Sequence, residues 1–305
     1  MPNVFGIVGC YAVFRHMTWQ EYEAEVASEL ERCYPGSSVQ RDVKTTGVLS
    51  GTSRQIDLVL EMADQDPVVV EIKRYGRKVH VKDVEAFIGI LHDLDVKRGM
   101  LICPKGYSEA AIQRVWKGAD NLELDVLSLE DLRRFQGFGG IPYAGSNGAL
   151  LSAPFGWVLD LDTGPVDALA VLYRRGRTLE TAMRAGEWMY VQCWQKDEVA
   201  TTIPELLAHQ RAYMVDVIEG LTIETLPPPP HPVSQTALRV ARYPDDVTVE
   251  LTGFVEFEGS IFFLVLLTTP EDLDKNIRKM SAATSGLRSI RLVHRLGPDH
   301  DGNGS

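Results

Sequence analysis

The sequence of 305 residues lacks several features that would assign it at once to a class. Its apolar runs all fall short of the roughly 18 residues that a membrane-spanning helix needs, so no membrane association is expected. Its four cysteines stand apart, without a CxxC pair or a Cys/His cluster, which argues against a zinc finger or a disulfide framework. The stretch 1–14 has no positive residue ahead of its apolar part, unlike a signal peptide. These absences favour a reduced, cytoplasmic setting.

Positive charge is scarce as well. The formal net charge is −11 at pH 7, whereas a simple nucleic-acid binder is usually basic. The absence of a GxxxxGK[S/T] loop argues against an ATP-driven motor. Against this acidic background, segment 73–82 (KRYGRKVHVK) carries five basic residues and no acid. Such a run is often only a solvated turn, but it is where this chain could contact a phosphate backbone, and Lys78 and Lys82 are its best candidates.

The length and composition predict two globular domains. Hydrophobic residues make up 45% of the chain and charged residues 24%, which is typical of globular proteins. A Gly- and Pro-rich segment at 137–149 is predicted to be a linker between a domain at 1–136 and another at 150–296. Residues 297–305 are predicted to be a disordered tail, and the polyproline segment 226–232 a stiff loop.

The first domain is predicted to be an α/β fold with a mixed sheet flanked by helices. Thr18 and Glu21 form a capping box that opens a helix to about residue 32. Three strands (39–46, 54–61 and 67–74) follow, and then helices alternate with strands. These later elements are a helix at 81–94, a strand at 99–104, a helix at 108–117, a strand at 122–127 and a short helix opened by Ser128.

The second domain shows a weaker pattern. Five segments are typical of strands and two of helices, which predicts an α+β domain built on an antiparallel sheet. The strands are 166–174, 188–194, 238–243, 247–257 and 261–268, and the helices are 204–217 and 270–281.

Two charged residues share one face of the third predicted strand, because alternate side chains of a strand point the same way. These are Glu71 and Lys73. If the second and third strands pair as a hairpin, Asp57 can lie beside Glu71. Two carboxylates can hold a hard divalent cation, most plausibly Mg²⁺, with Mn²⁺ as an alternative. A bare Glu-x-Lys pair is more often an ordinary surface ion pair, but a strand this apolar is expected to be central.

The order of the flanking segments resembles the catalytic domain of Mrr-type restriction endonucleases, in the PD-(D/E)xK nuclease superfamily. The matching segments are Tyr22-Glu23, RQID (54–57), EIKRY (71–75), 81–94, 99–111 and 124–132. The resemblance implies that Asp57, Glu71 and the backbone carbonyl of Ile72 bind the metal, that Lys73 is catalytic, and that Glu23 lies near the site. Glu23 alone could equally be a solvated helix residue.

By the same resemblance, the expected function is DNA cleavage by a bacterial restriction or anti-phage defence nuclease. The expected DNA-binding residues lie in the basic segment and are Arg74, Arg77, Lys78 and Lys82. A double-strand cut by a single-site domain needs two copies, so a homodimer is expected. The alternative is an inactive nuclease-fold module that binds nucleic acid or a protein partner, although an intact Asp57, Glu71 and Lys73 set argues against decay.

The second half carries no motif tied to chemistry. Asp162-Thr163-Gly164 is similar to the aspartic-protease signature, but that chemistry needs two aspartates and no second copy exists in the sequence. An Asp-Gly turn explains this segment better. The order of elements resembles PsbP-like α/β domains in pattern only, which implies a regulatory, specificity or oligomerisation role with an unknown ligand or protein partner.

Overall fold

The computed structural model of the protein describes residues 17–62, 65–74, 76–118, 121–134, 137–144, 147–244 and 248–291. The chain divides into two compact units, Met1–Phe135 and Gln136–Ser305. No helix within the described ranges is long and apolar enough to cross a membrane. The predicted disordered tail, 297–305, lies outside the described residues.

The N-terminal unit is built on a five-stranded mixed sheet with the order β1-β2-β3-β4-β5. Strands β1 and β3 both pair antiparallel with β2, whereas β3, β4 and β5 run parallel. The strands are β1 (Ser38–Thr46), β2 (Ser53–Glu61), β3 (Val68–Ile72), β4 (Arg98–Ile102) and β5 (Glu123–Leu127). The predicted α/β fold with a mixed sheet is confirmed.

Among the described residues, four helices accompany this sheet in the order that the sequence predicts. They are α1 (Trp19–Cys33), α2 (Val81–Leu94), α3 (Glu109–Lys117) and α4 (Leu129–Arg133). The capping box of Thr18 and Glu21 opens α1, and Ser128 with Asp131 opens α4 in the same way. The apolar face of α2 packs with buried side chains of the sheet, among them Val69 and Leu101. The parallel crossover connections run through α2 and α3, as a buried parallel sheet requires.

The C-terminal unit is an antiparallel α+β structure, in agreement with the predicted class. Its main sheet has seven strands in the order β11-β12-β13-β14-β10-β9-β8, and a second sheet has the order β15-β7-β6. The strands are β6 (Phe138–Ala144), β7 (Asn147–Ser152), β8 (Trp157–Asp160), β9 (Ala170–Arg174), β10 (Trp188–Gln195), β11 (Thr222–Leu226), β12 (Thr236–Arg242), β13 (Val249–Glu256), β14 (Ser260–Thr268) and β15 (Arg288–Arg291).

The described part of this unit contains three helices: α5 (Leu179–Arg184), α6 (Ile203–Val217) and α7 (Leu273–Gly286), the last preceded by a 3₁₀ turn. Helix α7 lies against β13 and β14. The approach is close, because a Cβ placed on Gly253 of β13 would stand 2.4 Å from Thr284 Oγ1 of α7. Only glycine therefore lets the helix sit at this depth.

The prediction of a linker at 137–149 is wrong, because most of this segment forms β6 and the beginning of β7. Its Gly and Pro content imitates a flexible connection. Strand β6 is an edge strand, and its register is irregular between Pro142 and Ala144. An edge strand with an irregular register tolerates proline, which cannot donate to a β-ladder.

The Asp162-Thr163-Gly164 segment forms a turn, as the alternative interpretation expected. Asp162 donates its backbone N–H to Asp160 Oδ1, and Gly164 donates to Asp162 Oδ1 at 3.3 Å. Gly164 has φ +55°, a left-handed conformation that suits glycine. Hydrogen bonding of an aspartate to its own backbone explains this segment without catalysis.

Candidate active site

The site begins where the pairing of β2 with β3 gives way. The Cα pairs between these strands run from Leu60↔Val68 to Leu58↔Val70. Beyond them, Ile72 donates its backbone N–H to Asp57 Oδ2 at 2.7 Å. The Asp57 side chain of β2 thus accepts a hydrogen bond just beyond the last backbone pair between the two strands. This bond holds the Asp57 carboxylate at the end of β3.

Glu71 and Lys73 form an ion pair at the same end of β3, between Lys73 Nζ and Glu71 Oε1. Both side chains are partly buried, with 23% of the Glu71 side chain and 18% of the Lys73 side chain exposed. Strand β3 ends at Ile72, so Lys73 lies one residue beyond the strand in which it was predicted. Its backbone N–H still bonds the Ile102 carbonyl at 2.7 Å, which holds Lys73 in line with the sheet.

The surroundings of Asp57 change the pKa of its carboxyl group. Burial raises the pKa of its carboxyl above the ordinary value, and the negative charges of Glu71 and Asp42 act in the same direction. The Ile72 hydrogen bond and the Lys73 ammonium lower this pKa. The raised pKa means that the ionised form of Asp57 is disfavoured by its surroundings, and a bound cation would offset that cost.

Glu23 of α1 lies within electrostatic reach of Asp57. Its residue surface is 7% exposed. Burial and the carboxylates of Asp42 and Asp57 raise the pKa of Glu23, while Arg41 and a hydrogen bond from Trp19 lower it. The Arg41 guanidinium stands 3.8 Å from Glu23 Oε2. The structure therefore brings Glu23 beside the other acidic groups, away from the solvated helix face that was its alternative placement.

Asp42 is a further acidic residue here that the sequence analysis missed. Its neighbours Arg41 and Val43 face Leu58 and Ile56 in the register, which places Asp42 opposite Asp57. It adopts a left-handed backbone conformation with φ +53° and accepts a hydrogen bond from Gln55 Nε2 at 3.2 Å. Aspartate is depleted in strands and enriched at positive φ, so an isolated Asp in a strand pattern was the available clue.

The four basic residues expected to contact nucleic acid have different surroundings. Arg77 is engaged by Asp83, with its Nη1 2.7 Å and its Nη2 3.0 Å from the carboxylate oxygens. Arg74 lies over the Trp19 ring. Lys78 and Lys82 are exposed. All four residues are exposed, but Arg77 is held by Asp83 at the start of α2.

The donor set fits a hard divalent cation with an incomplete protein shell. No group of three or more His, Cys, Asp or Glu residues within the described ranges is arranged as metal ligands. Asp57 and Glu71 supply two carboxylates. Magnesium is commonly held by one or two carboxylates and completed by water and substrate phosphate. Burial and the neighbouring Glu71 carboxylate disfavour the ionised form of Asp57, which is consistent with such a site.

Comparison with known proteins is informative for the N-terminal unit. Residues 14–135 match the Mrr_cat family of restriction endonucleases. The match covers all of α1 to α4 and β1 to β5, so the Mrr_cat-like region coincides with the unit that holds Asp57, Glu71 and Lys73. The predicted family resemblance of the first half is confirmed. No curated protein matches the chain.

Two solved structures resemble part of the chain at low sequence identity. One neighbour is the solution structure of cyanobacterial PsbP (CyanoP) from Synechocystis sp. PCC 6803, with 13% identity and a TM-score of 0.33, covering 51% of this chain and 94% of that one. Another is the crystal structure of LpqN, involved in cell envelope biogenesis of Mycobacterium tuberculosis, with 9% identity, a TM-score of 0.34, and coverage of 50% and 90%. The PsbP-like resemblance recurs here, but at these scores it carries no functional argument.

Proposed function

We propose that this protein is a divalent-metal-dependent DNA endonuclease whose active site lies in the Mrr_cat-like unit. The observation that carries the proposal is the convergence of Asp57, Glu71 and Lys73 at the end of β3, where Asp57 accepts the Ile72 N–H. The family match supports a nuclease of the restriction type. The metal requirement and the residue roles are part of the proposal.

Asp57, Glu71 and the backbone carbonyl of Ile72 would hold Mg²⁺, and Mn²⁺ would suit the same oxygen donors. When bound, the cation polarises a phosphoryl oxygen and lowers the pKa of a water molecule. Asp57 is pre-positioned for this task because its Oδ2 is tied to the Ile72 N–H. A carboxylate that is already oriented loses little conformational freedom when the ion binds.

Lys73 would act on the phosphate that is cut. Its ammonium contacts Glu71, so it stands beside the carboxylates without needing a large movement. There it can orient the attacking water or stabilise the negative charge that builds on the phosphoryl group in the transition state. Glu23 and Asp42 contribute further negative charge around the site and help to position the groups that face Asp57.

DNA would contact the exposed cations that follow the catalytic strand. Arg74, Lys78 and Lys82 carry this role, and Arg77 contributes to a lesser degree because Asp83 already pairs with it. Backbone contacts of this kind position a duplex without reading its sequence. Because the whole chain is acidic, binding depends on this local surface and weakens steeply with salt.

The location, biological role and assembly of the protein are also proposed from the family match. The protein would act in the cytoplasm as a restriction or defence nuclease, with two copies combining for a double-strand cut. The C-terminal unit would serve regulation, target choice or oligomerisation.

A cleavage panel tests the function. The full chain is incubated in Mg²⁺ or EDTA with methylated plasmid, unmethylated plasmid, linear duplex, single-stranded DNA and RNA. Cleavage of a DNA substrate that needs Mg²⁺ is the expected result. Cleavage of RNA alone would show that the substrate is RNA and not DNA. No cleavage of any substrate in Mg²⁺ or Mn²⁺ would favour the alternative of a binding module without catalysis.

A further inference from the structure

A small cavity lies beside the proposed active site in the N-terminal unit. It has a volume of about 200 Å³, and its lining includes Met17, Trp19, Tyr22, Arg74 and Pro104. It is smaller than the roughly 300–1,000 Å³ of pockets that hold drug-sized ligands. A planar fragment on the scale of one aromatic ring system is therefore the appropriate class of occupant.

The walls combine aromatic rings with one guanidinium. Trp19 and Tyr22 stack with their ring centroids 5.9 Å apart and their planes inclined by 20°. The Arg74 guanidinium carbon lies 5.4 Å from the centroid of the Trp19 ring. Aromatic rings and arginine planes are the two surfaces on which unstacked nucleobases are held in single-stranded nucleic-acid recognition. Arg74 also supplies positive charge, which complements a nucleotide's phosphate.

One covalent connection and one hydrogen bond join this cavity to the site. Arg74 directly follows Lys73 in the chain, and Trp19 hydrogen-bonds Glu23 from one turn earlier on α1. A phosphate held at Lys73 would therefore place the neighbouring nucleotide close to the cavity.

We propose that this cavity accepts one nucleobase of the substrate, turned out of its stack next to the phosphate that is cut. The base packs against Trp19 and the Arg74 guanidinium, with the adjoining phosphate near Arg74. This inference rests on the proposed nuclease function for the identity of the ligand. It implies that the protein engages single-stranded or locally unpaired DNA more readily than a perfectly paired duplex, because no unstacking cost is then paid.

A binding experiment without catalysis separates this inference from the proposed function. The full chain in EDTA is titrated with a fluorescent oligothymidylate and with an abasic sugar-phosphate strand of the same length, and anisotropy gives both dissociation constants. We expect the base-bearing strand to bind about tenfold to a hundredfold more tightly, the range set by stacking of one base. Equal affinities would overturn the proposal.

Matched variants locate the effect. Trp19→Ala should reduce the ratio of the two affinities to near one, whereas Trp19→Phe should retain most of it because a ring remains. Arg74→Lys should keep attraction to the abasic strand but lower the ratio several-fold, since a lysine has no plane. Lys117→Ala, which removes an exposed cation at the end of α3, should leave the ratio unchanged. A ratio that survives in Trp19→Ala would contradict the assignment to this cavity.

The outcome is independent of the cleavage panel. A chain that cuts DNA in Mg²⁺ but binds abasic and base-bearing strands equally would keep the proposed function and lose the base-binding cavity. A chain that discriminates the two strands through Trp19 but cuts nothing would keep the cavity and lose the nuclease. Far-ultraviolet circular dichroism of Trp19→Ala checks its fold, and Trp19→Phe provides the test if that variant is unfolded.

Discussion

The Asp57 carboxylate accepts the backbone N–H of Ile72 at 2.7 Å, at the point where the pairing of β2 with β3 ends. The same aspartate has a pKa raised by burial and by the charges of Glu71 and Asp42. The Asp57 side chain is thus held in place by a hydrogen bond, while its surroundings disfavour its ionised form. This combination is typical of a group retained for function at some cost in stability.

The first prediction concerns that cost. Asp57→Asn keeps an oxygen that can accept the Ile72 N–H but removes the repulsion with Glu71 and Asp42, so it should leave the melting temperature unchanged or raise it. Asp57→Ala also removes the acceptor and should lower stability by about 1–2 kcal/mol. Calorimetry of both variants at neutral pH measures the difference. An Asp57→Asn variant that is less stable than Asp57→Ala would contradict this account.

The second prediction concerns competition at Glu71. A cation that binds Glu71 competes with Lys73 Nζ for the same carboxylate. Lys73→Ala should therefore bind Mg²⁺ or Mn²⁺ about two- to fivefold more tightly than the parent, because a partly exposed ion pair is worth up to about 1 kcal/mol. Cleavage should nevertheless be lost.

Isothermal titration with Mn²⁺ measures this affinity, and Lys44→Ala is the control because Lys44 is an exposed cation on β1. Weaker metal binding by Lys73→Ala than by Lys44→Ala would show that Lys73 does not compete for the metal's ligand.

The third prediction concerns the acidic residues that flank Asp57. Glu23→Gln and Asp42→Asn should each lower the cleavage rate by roughly tenfold to a hundredfold, because they help to position the reacting groups. Asp42→Asn should not unfold the protein, since asparagine tolerates the left-handed backbone at φ +53°. Asp42→Val should cost about 1–2 kcal/mol of stability for the same reason of backbone conformation. Rates equal to the parent's in both isosteric variants would remove Glu23 and Asp42 from the site.

The fourth prediction concerns acid stability of the N-terminal unit. Asp93 of α2 accepts hydrogen bonds from the Arg54 guanidinium and from the backbone N–H and hydroxyl of Ser50, and these bonds lower the pKa of its carboxyl. A depressed pKa contributes stability that is present above about pH 4, the ordinary aspartate value, and is lost as pH falls through the folded-state pKa.

Asp93→Asn should therefore melt below the parent at pH 7, and the gap should close as the pH falls below about 4. Thermal melts of both proteins across this range test the linkage. The exposed residue Asp95 provides the control in Asp95→Asn. A gap that widens on acidification would contradict the assignment.

The fold of the N-terminal unit could be predicted from the sequence because its local and tertiary signals agree. The Thr18 and Ser128 caps mark helix starts, and the apolar run of β3 marks a central strand. The first strand of the C-terminal unit is less readable from the sequence. Phe138–Ala144 carries Gly and Pro, which imitate a linker, and the strand owes its form to the neighbour with which it pairs.

The residues of the candidate site also differ in whether the sequence alone predicts them. Asp57, Glu71 and Lys73 could be found because strand alternation and the motif both point to them. Asp42 could not, because its position depends on the register of β1 against β2 and on a left-handed residue within the strand. The engagement of Arg77 by Asp83 was equally hidden, since a basic run read alone does not reveal which of its charges are already paired.

The most direct test of the central claim is the single-turnover rate of DNA cleavage in Mg²⁺ by the full chain and its site variants. Asp57→Asn, Glu71→Gln and Lys73→Ala should each cut at least about a hundredfold more slowly than the parent. Glu61→Gln, which alters an exposed carboxylate on the same strand as Asp57, should cut at the parent's rate. Cleavage by Asp57→Asn and Lys73→Ala at the parent's rate would place the active site elsewhere and contradict the account.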